Sequence, residues 1–138
     1  MKKLVLFLSL LISFSSCEKE AGKGGTSVIE GQVYKIHTFQ NFTTGEWDTL
    51  YYQLDSGKDV YIIYSDDINA VYDDKFETDY NGVYRFDYLR KGDYIIYTYA
   101  DSIDMNNVSY DFPLFTHITI SNNNSVKTVE DFVIEKNQ

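Results

Sequence analysis

Thr78-Asp79-Tyr80-Asn81-Gly82-Val83-Tyr84-Arg85-Phe86-Asp87-Tyr88-Leu89-Arg90-Lys91-Gly92-Asp93-Tyr94-Ile95-Ile96 is the stretch on which the fold turns. Asp79-Tyr80-Asn81-Gly82 reads as a turn, and Val83 to Tyr88 after it as a strand. Gly92-Asp93 reads as a second turn, with Tyr94, Ile96 and Thr98 on one face of the next strand. Side chains alternate between the two faces of a strand. Tyr84 and Phe86 therefore point one way, and Tyr94 and Ile96 repeat that inward face across the hairpin. Leu89 falls at the corner, where it plugs the core. Gly82 and Gly92 supply positive φ or allow close backbone approach.

Outward from this hairpin the same signals recur. Ile29, Gly31 and Val33 alternate in a first strand near 28–37, and Leu50 to Leu54 is a short second strand. Val60, Ile62 and Tyr64 alternate in a third, and Phe76 marks a fourth. Leu114 to Ile120 and Val126 to Ile134 are the last two, separated by the Asn- and Ser-rich Ser121 to Ser125. No window of helical length shows a helical period, and no internal repeat is visible. Short strands spaced by turns predict an all-β sandwich or barrel of about seven or eight strands. The single proline, Pro113, suits a strand start or a sheet edge, where a missing N–H costs little.

Reduced to its spacing, the central stretch is T-D-x-x-G-x-Y-x-F-x-x-L-x-x-G-x-Y-x-I. It resembles the carboxypeptidase regulatory-like and transthyretin-like (prealbumin-like) domains. Ile29-x-Gly31-x-Val33, Val60-x-Ile62 and Val129-x-Asp131-Phe132-x-Ile134 look like further parts of the same domain, so the resemblance covers roughly residues 28–135. It implies a Greek-key β-sandwich and a binding, accessory or structural role rather than catalysis. Relatives that hydrolyse hydroxyisourate end in Tyr-Arg-Gly-Ser, whereas this chain ends Ile134-Glu135-Lys136-Asn137-Gln138. Relatives that crosslink themselves through an isopeptide bond carry a Glu two residues after the position of Ile96, where this chain has Thr98. Neither chemistry is expected, even with Lys35 present.

The first residues read differently. Lys2 and Lys3 precede Leu4 to Phe14, an apolar run of 11 residues broken only by Ser9 and Ser13. That is the length of a signal-peptide core and too short for a bilayer of about 30 Å. Ser15, Ser16 and Cys17 follow, with Phe14 three positions before the cysteine. This resembles the lipobox of bacterial lipoproteins and implies a signal peptide at 1–16 and lipid, palmitate included, on Cys17. Cys17 is the only cysteine, so a lipidated mature chain has no disulfide and must hold together by burial. Multiple acylation anchors stably where one chain would not. Residues 17–27, charged and then rich in glycine, read as a flexible tether to a sandwich at 28–135. Cys17-Glu18-Lys19-Glu20 weakly resembles the signals that carry lipoproteins to the surface in one Gram-negative phylum, and plain linker composition explains it equally well.

Without Lys2 and Lys3 the chain has 10 basic against 21 acidic side chains, a net charge of −11. Nucleic acid is not expected as a partner, because phosphate binding needs basic patches. His37 and His117 have neither a visible nucleophile nor a zinc-ligand set and read as ordinary strand residues. Glu77-x-Asp79-x-Asn81-Gly82 begins like a calcium loop, but Tyr88 stands where a bidentate Glu is needed. Asp66-Asp67, Asp73-Asp74, Asp101 and Asp104 read as solvated loop charge, with a calcium site built from several loops as the alternative. No metal and no cofactor is expected.

Aromatic residues are abundant, with 13 Tyr, 9 Phe and one Trp. Tyr61, Tyr97 and Tyr99 fall on the outward faces of their strands, and Trp47, Tyr51 and Tyr52 lie near the second strand. Exposed rings could stack on sugars or pack on a protein, and the alternative is a tyrosine-rich sheet surface with cross-strand pairs. Asp48-Thr49-Leu50 and Asp101-Ser102-Ile103 resemble O-glycosylation acceptors of the same phylum. The expectation is an exported lipoprotein, anchored by lipid to the outer membrane and facing the periplasm or the surface. Its sandwich would serve as a non-enzymatic binding or scaffold unit. The alternatives are a glycan-binding accessory protein and a hydrolase with a concealed site.

Overall fold

The computed structural model describes residues 20–103 and 108–137. The expected signal peptide, Cys17 and Asp104 lie outside them. Nine strands run in order: β1 Lys23–Gln40, β2 Trp47–Leu54, β3 Asp59–Ile63, β4 Asp74–Glu77, β5 Val83–Leu89, β6 Gly92–Ile103, β7 Ser109–Ile120, β8 Val126–Thr128 and β9 Phe132–Asn137. They form two packed sheets, so the all-β sandwich read from the sequence is the fold.

One sheet is the antiparallel ribbon β4-β3-β6-β7. The other is built along β1, whose neighbours change halfway. Its first half pairs with β5 (antiparallel) and β8 (parallel), and its second half with β2 (antiparallel) and β9 (parallel). Val33 marks the exchange: its N–H donates to the Gly82 carbonyl at 2.9 Å and its carbonyl accepts from the Asp55 N–H at 2.9 Å. β5 and β2 thus meet end to end on one edge of β1.

That junction explains the Thr78-Asp79-x-x-Gly82 motif. The Asp79 carboxylate accepts from the N–H groups of Asn81 (2.8 Å) and Val83 (2.9 Å), which closes the turn. Buried Thr78 donates its hydroxyl to the Asp55 carbonyl at 2.6 Å and accepts from the Lys58 N–H at 2.8 Å, joining the end of β2 to the start of β3. Gly82 has φ of 68°, and a Cβ there would lie 2.6 Å from the Val33 carbonyl oxygen. The hairpin side chains point as the alternation requires. Tyr84, Phe86, Leu89, Tyr94 and Ile96 are all buried, with Ile29, Val33, Val60, Ile62, Phe132 and Ile134 from other strands. At the position of the missing glutamate, buried Thr98 donates its hydroxyl to the Asp59 carbonyl.

Four details differ from the sequence reading. First, β1 starts at Lys23, five residues before Val28, so the latter part of the expected tether is strand. Its entry is clamped: the Gly22 N–H donates to the Tyr94 hydroxyl (2.9 Å), which donates to the Arg90 carbonyl (2.8 Å), and the Arg90 N–H donates to the Gly22 carbonyl (2.9 Å). Gly25 is there for contact rather than flexibility, since a Cβ would fall 2.0 Å from the Leu89 carbonyl oxygen. Second, the last expected strand divides into β8 and β9. Thr128 pairs with Glu30 and Phe132 with Val33, so Val129, Glu130 and Asp131 stand opposite only Gly31 and Gln32. The extra residue breaks the ladder as a bulge does. Third, β7 starts at Ser109, five residues before Leu114, so Pro113 lies inside it; β7 is the margin of its sheet, the edge position expected for a proline. Fourth, a second apolar cluster of Ile63, Ile95 and Tyr97 forms on the outer face of the ribbon, covered by Tyr61, Ala70 and Phe115.

Candidate binding surface

The six aromatic residues singled out in the sequence do not form one site. Trp47, Tyr51 and Tyr52 lie on β2, and Tyr61, Tyr97 and Tyr99 on β3 and β6 of the other sheet.

The β3–β6 group is a self-packed ladder. Tyr61 and Tyr97 face each other in register, with rings stacked at 5.0 Å. Tyr72 and Tyr99 close on Tyr61 at 4.9 and 5.8 Å, and Phe115 packs on Tyr97 at 5.2 Å. Tyr97 is buried and Tyr61 half-buried, so the outward exposure expected for them is corrected. The segment after β3 folds back over this face, which strand alternation alone does not reveal. Burial, reinforced by Tyr99 and Tyr61, pushes the Tyr97 phenol up to about 12. Tyr99 keeps part of its surface in water.

The β2 group is exposed, as expected. Every residue of β2 is exposed, because the strand runs past the sandwich core as one arm of a hairpin with the end of β1. Tyr51 stacks on His37 at 4.3 Å, and the buried His37 ring also pairs with the Gln53 side chain at 3.1 Å. His37 is thus a strand residue held by cross-strand neighbours. His117 is exposed on β7.

The hairpin tip carries Phe39 and Phe42, which the sequence reading passed over, beside Trp47. Phe39, Phe42 and Trp47 line an open concavity of about 460 Å³ together with Gln40, Asn41 and Thr43. Phe42 is 98% exposed, and Trp47 51%. The tip is ordered by its own polar groups: the Asn41 N–H donates to the Glu46 carbonyl at 2.8 Å, and the Gly45 N–H to the Asn41 carbonyl at 2.7 Å. The signal in the sequence was Phe42 itself, a large ring inside a turn otherwise made of Asn, Thr and Gly.

A second hollow of about 550 Å³ opens between the sheets at the same end of β1, lined by Lys35, Asp101, Ser102, Phe112, Leu114 and Glu135 among others. The Lys35 ammonium already pairs with the buried Asp55 carboxylate at 2.7 Å. Of the two hydroxyls in O-glycosylation-like tripeptides, Thr49 is exposed on β2 and Ser102 lies in this hollow.

Several of the acidic residues are occupied locally. Asp67 accepts from the Asn69 N–H, Asp73 from the Tyr64 N–H, and Asp59 pairs with Lys75. Asp79, the centre of the calcium-loop-like stretch, builds its turn. Among the described residues no three His, Cys, Asp or Glu side chains converge as metal ligands.

No family model and no curated protein matches the chain. Among solved structures, it is similar to a Pseudomonas aeruginosa protein provisionally described as carbohydrate-binding. The TM-score is 0.47 and the identity 16%, over 84% of this chain and 92% of that one. It is also similar to the major pilin subunit of Bacillus cereus, with a TM-score of 0.41 and 19% identity over 83% of this chain. The match spans 30% of the pilin's length. At that distance neither likeness bears on ligand or activity.

Proposed function

We propose that this chain is an exported lipoprotein, anchored through Cys17, whose sandwich is a non-enzymatic binding module of the carboxypeptidase regulatory-like kind. The observation that carries the binding role is the exposed aromatic tip at Phe39, Phe42 and Trp47, which stands outside both apolar clusters of the domain. Large exposed rings held on an ordered turn are costly to leave in water and suit a partner surface. The anchor is supported by the Lys2-Lys3, apolar-run and Ser15-Ser16-Cys17 pattern. Mass spectrometry of the mature N-terminus tests it: a diacylglyceryl cysteine is expected, and an unmodified Cys17 overturns the anchor.

A glycan is the ligand class the tip favours. Aromatic faces stack on the apolar faces of sugars, and Gln40, Asn41 and Thr43 place amide and hydroxyl groups beside them. A glycan array probed with residues 20–138 is expected to give binding that Trp47→Ala abolishes while leaving the melting temperature unchanged. Binding that survives Trp47→Ala, or no binding, removes the glycan reading. Turnover of a bound glycan by the purified domain would overturn the non-enzymatic role.

A further inference from the structure

Among the described residues β2 pairs only with β1, so its other edge carries unpaired backbone groups. The ladder fixes which residues present them. The Asp55 N–H donates to the Val33 carbonyl, and Tyr51 and Gln53 stand opposite His37 and Lys35. Backbone groups of successive residues point to opposite edges of a strand. Tyr51 and Gln53 therefore face β1, while Tyr52 and Leu54 turn their N–H and C=O groups to solvent. Leu50 has no opposite residue on β1 and forms the bulge, so the regular stretch is Tyr51 to Leu54.

The other sheet margins are guarded by the devices that block pairing with another chain. β7 carries Pro113, and β8 is three residues long. β4 has four residues, of which Asp74, Lys75 and Glu77 are charged. β5 carries Arg85 and Asp87, and β9 carries Glu135 and Lys136. Tyr51 to Leu54 has no charge and no proline, and all four residues are exposed, Tyr52 at 65%.

We propose that this edge is a self-association surface, on which β2 of a second copy pairs antiparallel about a two-fold axis at Gln53. About that axis Tyr52 of each copy stands opposite Leu54 of the other. Both residues offer outward backbone groups, so each such pair closes two hydrogen bonds, and the side chains form apolar cross-strand contacts. Gln53 meets its own counterpart. The chain carries a net charge of −9, which opposes association in general, yet this stretch sets no like charges against each other. The edge thus matches its own copy. A two-fold contact closes on itself, so association stops at the dimer. Neither the Cys17 anchor nor the glycan reading of the tip enters the argument.

The chain from residue 17 with Cys17→Ser cannot form an intermolecular disulfide. By sedimentation it is expected to show a monomer–dimer equilibrium between roughly 1 μM and 1 mM, where weak dissociation constants fall. Tyr52→Lys puts a charge on the edge and is expected to weaken dimerisation about tenfold or more, with the melting temperature unchanged. Gln53→Cys in the same background sets two thiols opposite each other in a non-hydrogen-bonded pair. Cα atoms there lie about 4.5 Å apart, within disulfide reach. Oxidation is expected to link that variant into dimers, while Tyr110→Cys, exposed on β7, stays monomeric at the same concentration. A protein that is monomeric throughout the range overturns the proposal. A dimer that Tyr52→Lys does not weaken, or that links through Tyr110→Cys as readily as through Gln53→Cys, places the contact on another face and overturns it too.

Discussion

A methyl group on Gly82 would meet the Val33 carbonyl oxygen at 2.6 Å, at a φ of 68° that L side chains avoid. Gly82→Ala is therefore expected to cost roughly 1–3 kcal/mol from backbone strain alone, read as a lower urea midpoint. An unchanged midpoint would mean that the β2–β5 junction relaxes freely. Tyr84 poses the opposite case. Its ring fills the core, yet its hydroxyl is fully buried with no hydrogen-bond partner among the described residues. Burial, with Asp131 adding to it, pushes that phenol far up. Tyr84→Phe keeps the ring and removes the orphaned group, so stability is expected to rise by about 1 kcal/mol. A loss on urea denaturation would show that the hydroxyl has a partner. The inward direction of Tyr84 was legible from its spacing to Phe86. Its orphaned hydroxyl was not, because that depends on what the facing sheet offers.

The β3–β6 pair and the residue that leaves it carry their own pH dependence. Tyr97 is pushed up to about 12 by burial and neighbouring tyrosines, and Tyr64 to about 12 by burial and then Asp74 and Asp73. Unfolded, both phenols ionise near pH 10. Between the two values the folded chain holds protons the unfolded chain has lost, so stability is full below pH 10 and falls as pH rises toward 12. Urea midpoints measured from pH 9 to 11.5 should decline, and Tyr97→Phe should soften the decline. A flat profile would contradict the burial of Tyr97. The existence of β3, β5 and β6 followed from alternation and turns. The division of β8 from β9 did not, since it reflects a one-residue mismatch with β1 that only pairing exposes.

For the molecule as a whole, the entry of β1 is the point where sequence composition misleads. A chain beginning at Glu20 retains the Gly22–Tyr94–Arg90 clamp, and one beginning at Val28 loses it. At about 1 kcal/mol per hydrogen bond, residues 28–138 are expected to be less stable than 20–138 by roughly 2–4 kcal/mol, read as a lower melting temperature. Equal melts would restore the tether reading for 20–27. The sequence by itself determined the all-strand character, the turns and the inward face of the central hairpin, because these follow from local periodicity and turn chemistry. Only the tertiary structure decided that Tyr61 and Tyr97 are covered while Phe39, Phe42 and Trp47 stand clear. Exposure is set by what packs from distant parts of the chain, and a strand's own alternation names two faces without saying which of them is covered.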